Sequence, residues 1–152
     1  MKYFLKLFLI LLIIFSFTIT SGTIEANSDL RNALIAEGNG NFKKAINYFK
    51  LALKSCQKRE NKIEILNNIA VLYYRIKDYS NSVSTFKKCI SLAPKNEKLW
   101  NNLGLCFIKT SQNNKAIKCF KKAITLCKDF INPFRNLLDI YYKTKSYKKA
   151  LY

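Results

Sequence analysis

The stretch LWNNLGLCFIKTSQNNKAIKCFKKAIT, Leu99 to Thr125, decides how the whole chain is read. Trp100, Leu103, Gly104 and Phe107 recur at helical spacing, and Ala116, Phe120 and Ala123 do so again after a short polar interval. Each set therefore falls on one face of a helix. Large and small residues alternate, as two antiparallel helices require if they are to touch closely. Gly104, Ala116 and Ala123 let the backbones approach, while Trp100, Leu103, Phe107 and Phe120 fill the remaining space.

The same beat appears upstream, every position shifted by 34, as Leu66, Ile69, Ala70 and Tyr73, then Ser82, Phe86 and Cys89. It appears downstream at the same step as Phe134, Leu137, Leu138 and Tyr141, then Ala150. Further upstream Ala45, Phe49 and Ala52 repeat the second half, with Asn32 and Ala33 in a weaker first half. The step from Ala45 to Ser82 is 37, which places about three inserted residues near Cys56 to Asn61.

This period and pattern resemble the tetratricopeptide repeat (TPR), a helix–turn–helix unit of about 34 residues. The resemblance implies an all-α, right-handed solenoid of antiparallel helix hairpins with about three and a half repeats. They run over about 29–59, 63–96, 97–130 and, incompletely, 131–152. Three repeats meet the minimum for a stable stack, whose core is a strip shared between neighbours. It implies a binding architecture rather than a particular activity.

The ends carry separate messages. Residues 1–22, MKYFLKLFLILLIIFSFTITSG, place Lys2 and Lys6 before an apolar run from Leu7 to Thr20 and end on Ser21 and Gly22. That is the build of a signal peptide, with cleavage expected after Gly22 and Ala26 as a second candidate. The alternative is an uncleaved anchor from Tyr3 to Thr20. Either way the repeats are exported, periplasmic or secreted if cleaved and membrane-anchored facing outside the cytoplasm if not. Residues 23–28 are a polar lead, and Asp29, where the other repeats have Leu66, Trp100 and Phe134, suits an N-terminal capping role.

Turns are expected around Gly38 and Gly40, at Lys77 to Ser80, and at Thr110 to Asn114. The last is expected to be looser, because Asn113 stands where Phe42, Tyr79 and Tyr147 supply an aromatic. The fourth repeat starts at Ile131, with Pro133 in a first helical turn, and stops about two turns short of a full hairpin. An uncapped end of that kind exposes apolar surface for a partner or a second copy, unless the reading frame is truncated.

Composition narrows the chemistry. The chain has no histidine, which removes the usual general base and the commonest metal ligand. An enzyme is disfavoured, and no cofactor or metal is implied. Its five cysteines form no CxxC motif and read as small apolar core groups, Cys89 standing where Ala52 and Ala123 stand. The net charge of +18 favours anionic partners, although the Lys, Asn, Ile, Phe and Tyr enrichment of an AT-rich genome yields the same charge as a solvated surface.

Two columns form the candidate site. Asn68, Asn102 and Asn136 recur at the repeat period beside the inward-facing Ile69, Leu103 and Leu137. They resemble the asparagine ladder that lines the concave groove of TPR superhelices. An amide offers both a donor and an acceptor, so it can hold a peptide backbone without reading side chains. Arg75, Lys109 and Lys143 follow each asparagine by seven residues, near two helical turns, and so share its side. Lys98 and Arg135 add charge nearby. The match to the two-carboxylate clamp of chaperone-binding TPR domains is poor: Leu30 and Leu34 stand where polar groups are wanted. The competing reading of both columns is a solvated polar face.

The paired lysines Lys43-Lys44, Lys87-Lys88, Lys121-Lys122 and Lys148-Lys149 fall on second helices, the outer surface in this family. They suit an anionic membrane surface or phosphates, whereas nucleic acid is disfavoured because most aromatics occupy packing positions. The sequence thus points to an exported scaffold or adaptor that holds an extended, acidic protein segment. The alternatives are a membrane-anchored subunit that oligomerises through its C-terminal end and a non-specific polyanion binder.

Overall fold

The computed structural model describes residues 28–145. The export segment at 1–22, all but the last residue of the 23–28 lead, and the helix start at 146–152 lie outside the described residues. Within them the chain forms seven helices and no strand: α1 (28–38), α2 (Phe42–Ser55), α3 (Arg59–Arg75), α4 (Tyr79–Leu92), α5 (Glu97–Lys109), α6 (Asn113–Leu126) and α7 (Ile131–Lys143). The all-α class is as the periodicity requires. Within the described residues, those up to Ile65 and those from Leu66 form two compact units.

In the first unit the buried residues are Ala33 and Ala36 on α1, Ala45, Ile46, Phe49 and Ala52 on α2, Cys56 just after it, and Ile65 on α3. In the second, α5 packs on α4 and α6, and α6 packs on α7. Phe86 and Phe120 are fully buried, and so are Ala70, Ala116, Cys89 and Ala123. At Gly104 two helices pack with no room for a side chain. A Cβ there would stand 2.6 Å from Cε1 of Phe120, well inside van der Waals contact. Ser82 takes the place of Ala116 one repeat earlier and is also fully buried. Its hydroxyl donates to the Ala70 carbonyl at 2.8 Å and lies 3.1 Å from Cys106 Sγ, so the buried polar group is satisfied.

One further core column was not read from the sequence: Leu72, Cys106 and Ile140, one period apart, are all buried. Conversely, Trp100 sits at an edge rather than filling the core. It is half-buried, and its indole N–H donates to the Pro94 carbonyl at 2.9 Å. Phe134, at the same register, is 42% exposed.

The turns within hairpins share one backbone design. The N–H of Asn41 donates to Ala36 O at 2.8 Å, that of Asp78 to Tyr73 O at 2.9 Å, and that of Gln112 to Phe107 O at 2.8 Å. Inside each of these, Gly40 donates to Glu37 O, Lys77 to Tyr74 O and Ser111 to Ile108 O, at 2.9 to 3.0 Å. This pair of bonds is the Schellman helix ending, which needs a left-handed residue. Gly40, Lys77 and Ser111 supply it, at φ of 72°, 63° and 58°. The next residue then caps the following helix: Asn41 accepts from the Lys44 N–H and Asp78 from the Asn81 N–H. The turn before α6 keeps both backbone bonds despite lacking the aromatic; what it lacks is a side-chain cap, since Gln112 accepts no such bond.

The inserted residues lie between hairpins. Helix α3 has 17 residues where α5 and α7 have 13 each, the extra four being Arg59 to Lys62. The connection before it, 56–58, is three residues long. Pro133 lies in the first turn of α7, where its missing N–H costs nothing.

The approach at Gly104 has a measurable cost when disturbed. Gly104→Ala must displace the Phe120 ring, so chemical denaturation should show a loss of about 1–3 kcal/mol. Gly38→Ala, with nothing within 4 Å of its added Cβ, should leave stability unchanged or raise it.

Candidate functional site

The ladder asparagines lie on α3, α5 and α7, one on each, and all three are half-buried. Arg75, Lys109 and Lys143 are the last residues of those helices and are exposed, as are Lys98 and Arg135. On α5 the spacing of Lys98, Asn102, Leu105 and Lys109 puts all four on one stripe. Helix α3 repeats it with Asn68, Val71 and Arg75. Each stripe therefore offers an amide, an apolar side chain and a cation in succession.

Between these two helices an apolar cavity of about 170 Å³ is lined by Val71, Tyr74, Phe86 and Leu105, with Asn102 as its amide. Burial raises the Tyr74 phenol above its ordinary range, with Cys106 and Tyr79 contributing, so it is neutral. This cavity was not read from the sequence. Its signal was there: Val71 and Leu105 are one period apart and stand three residues after the asparagines.

Helix α7 departs from the stripe. Its apolar position is Asp139, whose Oδ2 accepts from Lys143 Nζ at 2.8 Å, so the expected cation is neutralised on its own helix. Asn136 is also engaged: its Nδ2 donates to Asn101 Oδ1 at 3.0 Å, and Asn101 Nδ2 in turn reaches Asn102 Oδ1 at 3.5 Å. Asn101 is only 6% exposed and ties α5 to α7 through its side chain. The doublet Asn101-Asn102 carried the hint that one amide of the pair turns inward.

The described residues hold no group of three metal-ligating side chains and no helix long and apolar enough to cross a membrane. The five cysteines are free thiols, four of them buried and Cys127 half-buried. Burial pushes the Cys89 thiol up to about 12 and the Cys119 thiol up to about 11; Cys106 is raised too, with its contact to Ser82 acting against the burial. Thiols held protonated in this way are poor nucleophiles.

Two measurements follow from this arrangement. Asn136→Ala leaves the buried Asn101 oxygen without its donor, and urea unfolding should show a loss of about 1–2 kcal/mol. Asn102→Ala gives up only the long 3.5 Å contact from Asn101 Nδ2, and should cost less than half of that in the same assay. The second concerns pH. From the ordinary thiol value of 9.0 upward, the unfolded chain gives up protons that native Cys89 retains, so stability should fall as pH rises towards 12. Thermal melts of Cys89→Ala should fall less steeply above pH 9 than those of the wild type.

Known proteins bear on this geometry in three ways. Sequence models of the tetratricopeptide repeat match residues 24–95 and 97–130. The photosystem I assembly proteins Ycf3 of Prochlorococcus marinus strains NATL2A and NATL1A are each 30% identical over 71 residues, 47% of this chain and 41% of theirs. The chain thus matches about two fifths of the length of those curated relatives.

Among solved structures, MamA from residue 41 onward of Desulfovibrio magneticus RS-1 superposes with a TM-score of 0.73 at 20% identity, covering 83% of this chain and 70% of that one. The first TPR of Spaghetti (RPAP3), bound to the HSP90 peptide SRMEEVD, does so with a TM-score of 0.70 at 15% identity, covering 80% of this chain and 94% of that one. At such identities the likeness is one of fold. Repeat matches over most of residues 24–130, the recurring beat of glycine, alanine and phenylalanine, and the shared fold lead to one conclusion: the chain belongs to the tetratricopeptide repeat family.

Proposed function

We propose that this protein is an interaction scaffold that holds an extended, acidic segment of another protein across α3 and α5. The observation that carries this reading is the apolar cavity between those helices, with the Asn102 amide beside Val71, Tyr74, Phe86 and Leu105. A side chain of the bound segment seats in the cavity while Asn102 and Asn68 hold its backbone. Arg75 and Lys109, four residues beyond the apolar position of each stripe, favour carboxylates on the segment. Support comes from the RPAP3 domain of the same fold, whose bound peptide SRMEEVD is acidic.

In this reading Asn136 and Lys143 are supporting residues rather than ligand contacts, because Asn101 and Asp139 already engage them. Residues 1–22 carry the scaffold out of the cytoplasm, as a cleaved leader or as an anchor. The protein performs no reaction in this role.

A peptide array tests the proposal. The wild type is expected to select extended peptides that pair an apolar residue with neighbouring carboxylates. Asn102→Ala combined with Leu105→Glu should weaken the selected peptides at least tenfold, whereas Lys143→Ala should change their affinity less than twofold. Selected peptides that bind the double variant as tightly as the wild type would sink the reading.

A further inference from the structure

We propose that the opposite side of α5 carries a second binding site, one that takes an apolar side chain flanked by carboxylates in an acidic protein segment. At roughly 100° per residue, Asn102, Leu105 and Lys109 cluster on one side of α5, and Trp100, Leu103 and Phe107 point roughly 160° away. There, between α4, α5 and α6, is a pocket of about 340 Å³. Trp100, Leu103 and Phe107 form its apolar floor; Lys87, Lys115 and Lys118 stand around it.

The charge is one-sided. Neither α4 nor α6 contains an Asp or Glu, so the three cations face the pocket with no carboxylate on either helix to answer them. Cations gathered over a low-dielectric floor repel one another, and an anion brought among them relieves that repulsion. The site is also built before any ligand arrives. Lys115 is held by Gln112 Oε1 at 2.6 Å, with its Nζ 5.7 Å from the centre of the Phe107 ring. The Trp100 ring is fixed by its bond to the Pro94 carbonyl. Groups set in place in advance lose little entropy on binding.

Size and shape choose the ligand class. The pocket is near the lower end of small-ligand sites, enough for one aromatic or branched side chain. Phe107 is 6% exposed and Trp100 half-buried, so neither offers the open platform on which nucleic-acid bases stack. A protein segment with one apolar anchor between acidic residues meets both the floor and the rim.

Trp100 is the single tryptophan of the chain and lines the pocket, so its fluorescence reports occupancy directly. The probe is an acetylated heptapeptide of glutamates around one central phenylalanine, titrated into the full chain. The expected result is a saturable change. It should weaken at least tenfold when alanine replaces the peptide's phenylalanine, and again in Lys87→Gln/Lys118→Gln. Asn102→Ala should leave it unchanged, which separates this site from the α3–α5 cavity. No saturable change, or an equal one from the alanine peptide, overturns the proposal. A tighter response to dodecanoate or to a short single-stranded oligonucleotide overturns it in favour of an amphiphile or a nucleic acid.

Discussion

The closeness of Gly104 to the Phe120 ring is the constraint on which the rest of the second unit depends. With no Cβ at 104, α5 and α6 approach until the ring of Phe120 meets backbone. A buried phenylalanine contributes about 1.5–3 kcal/mol through its lost contact with water, and that gain requires the two helices to stay close. Closeness in turn demands a short connection, and the Schellman ending of α5 supplies one in which a single left-handed residue, Ser111, reverses the chain. The same three parts recur around Ala70, Phe86 and Lys77.

That logic is why so much of the fold was legible. Small and large residues recurring at one fixed period are the direct imprint of helices in contact, and any sequence that folds this way must display them. What stayed hidden was of another kind. The bond from Asn136 to Asn101 joins two asparagines 35 residues apart, and composition alone does not tell an amide facing solvent from one facing a neighbouring helix. Trp100 has the periodicity of a core residue, yet its position near the helix start leaves it over the loop, bonded to Pro94. The cavity beside Asn102 belongs to neither kind of signal. It is space left between two stripes, and a sequence records side chains rather than the gaps between them.

The cation column has a structural reason as well as a binding one. Arg75, Lys109 and Lys143 each lie in the last turn of their helix, where unpaired carbonyls concentrate negative charge. A cation there is worth about 0.3–1 kcal/mol. Glu60 and Glu97 complete the pattern at the opposite ends of α3 and α5. Helices α3 and α5 thus carry an acid in the first turn and a cation in the last, whereas α2, α4 and α6 carry lysine and no acid at all. Among the described residues, acidic side chains are absent from the second helix of each hairpin rather than scattered along the chain.

The longer α3 shows where such a chain has freedom to grow. Its extra four residues exceed one full turn of about 3.6 by only a few tenths of a residue, and they lie ahead of the apolar stripe from Leu66 to Tyr73. Within a hairpin no such addition fits, because the paired backbone bonds fix the turn at one length. The junctions between hairpins therefore act as expansion joints. They absorb length in units of whole helical turns, and a lineage of such repeats can drift in size there while every hairpin keeps its measure.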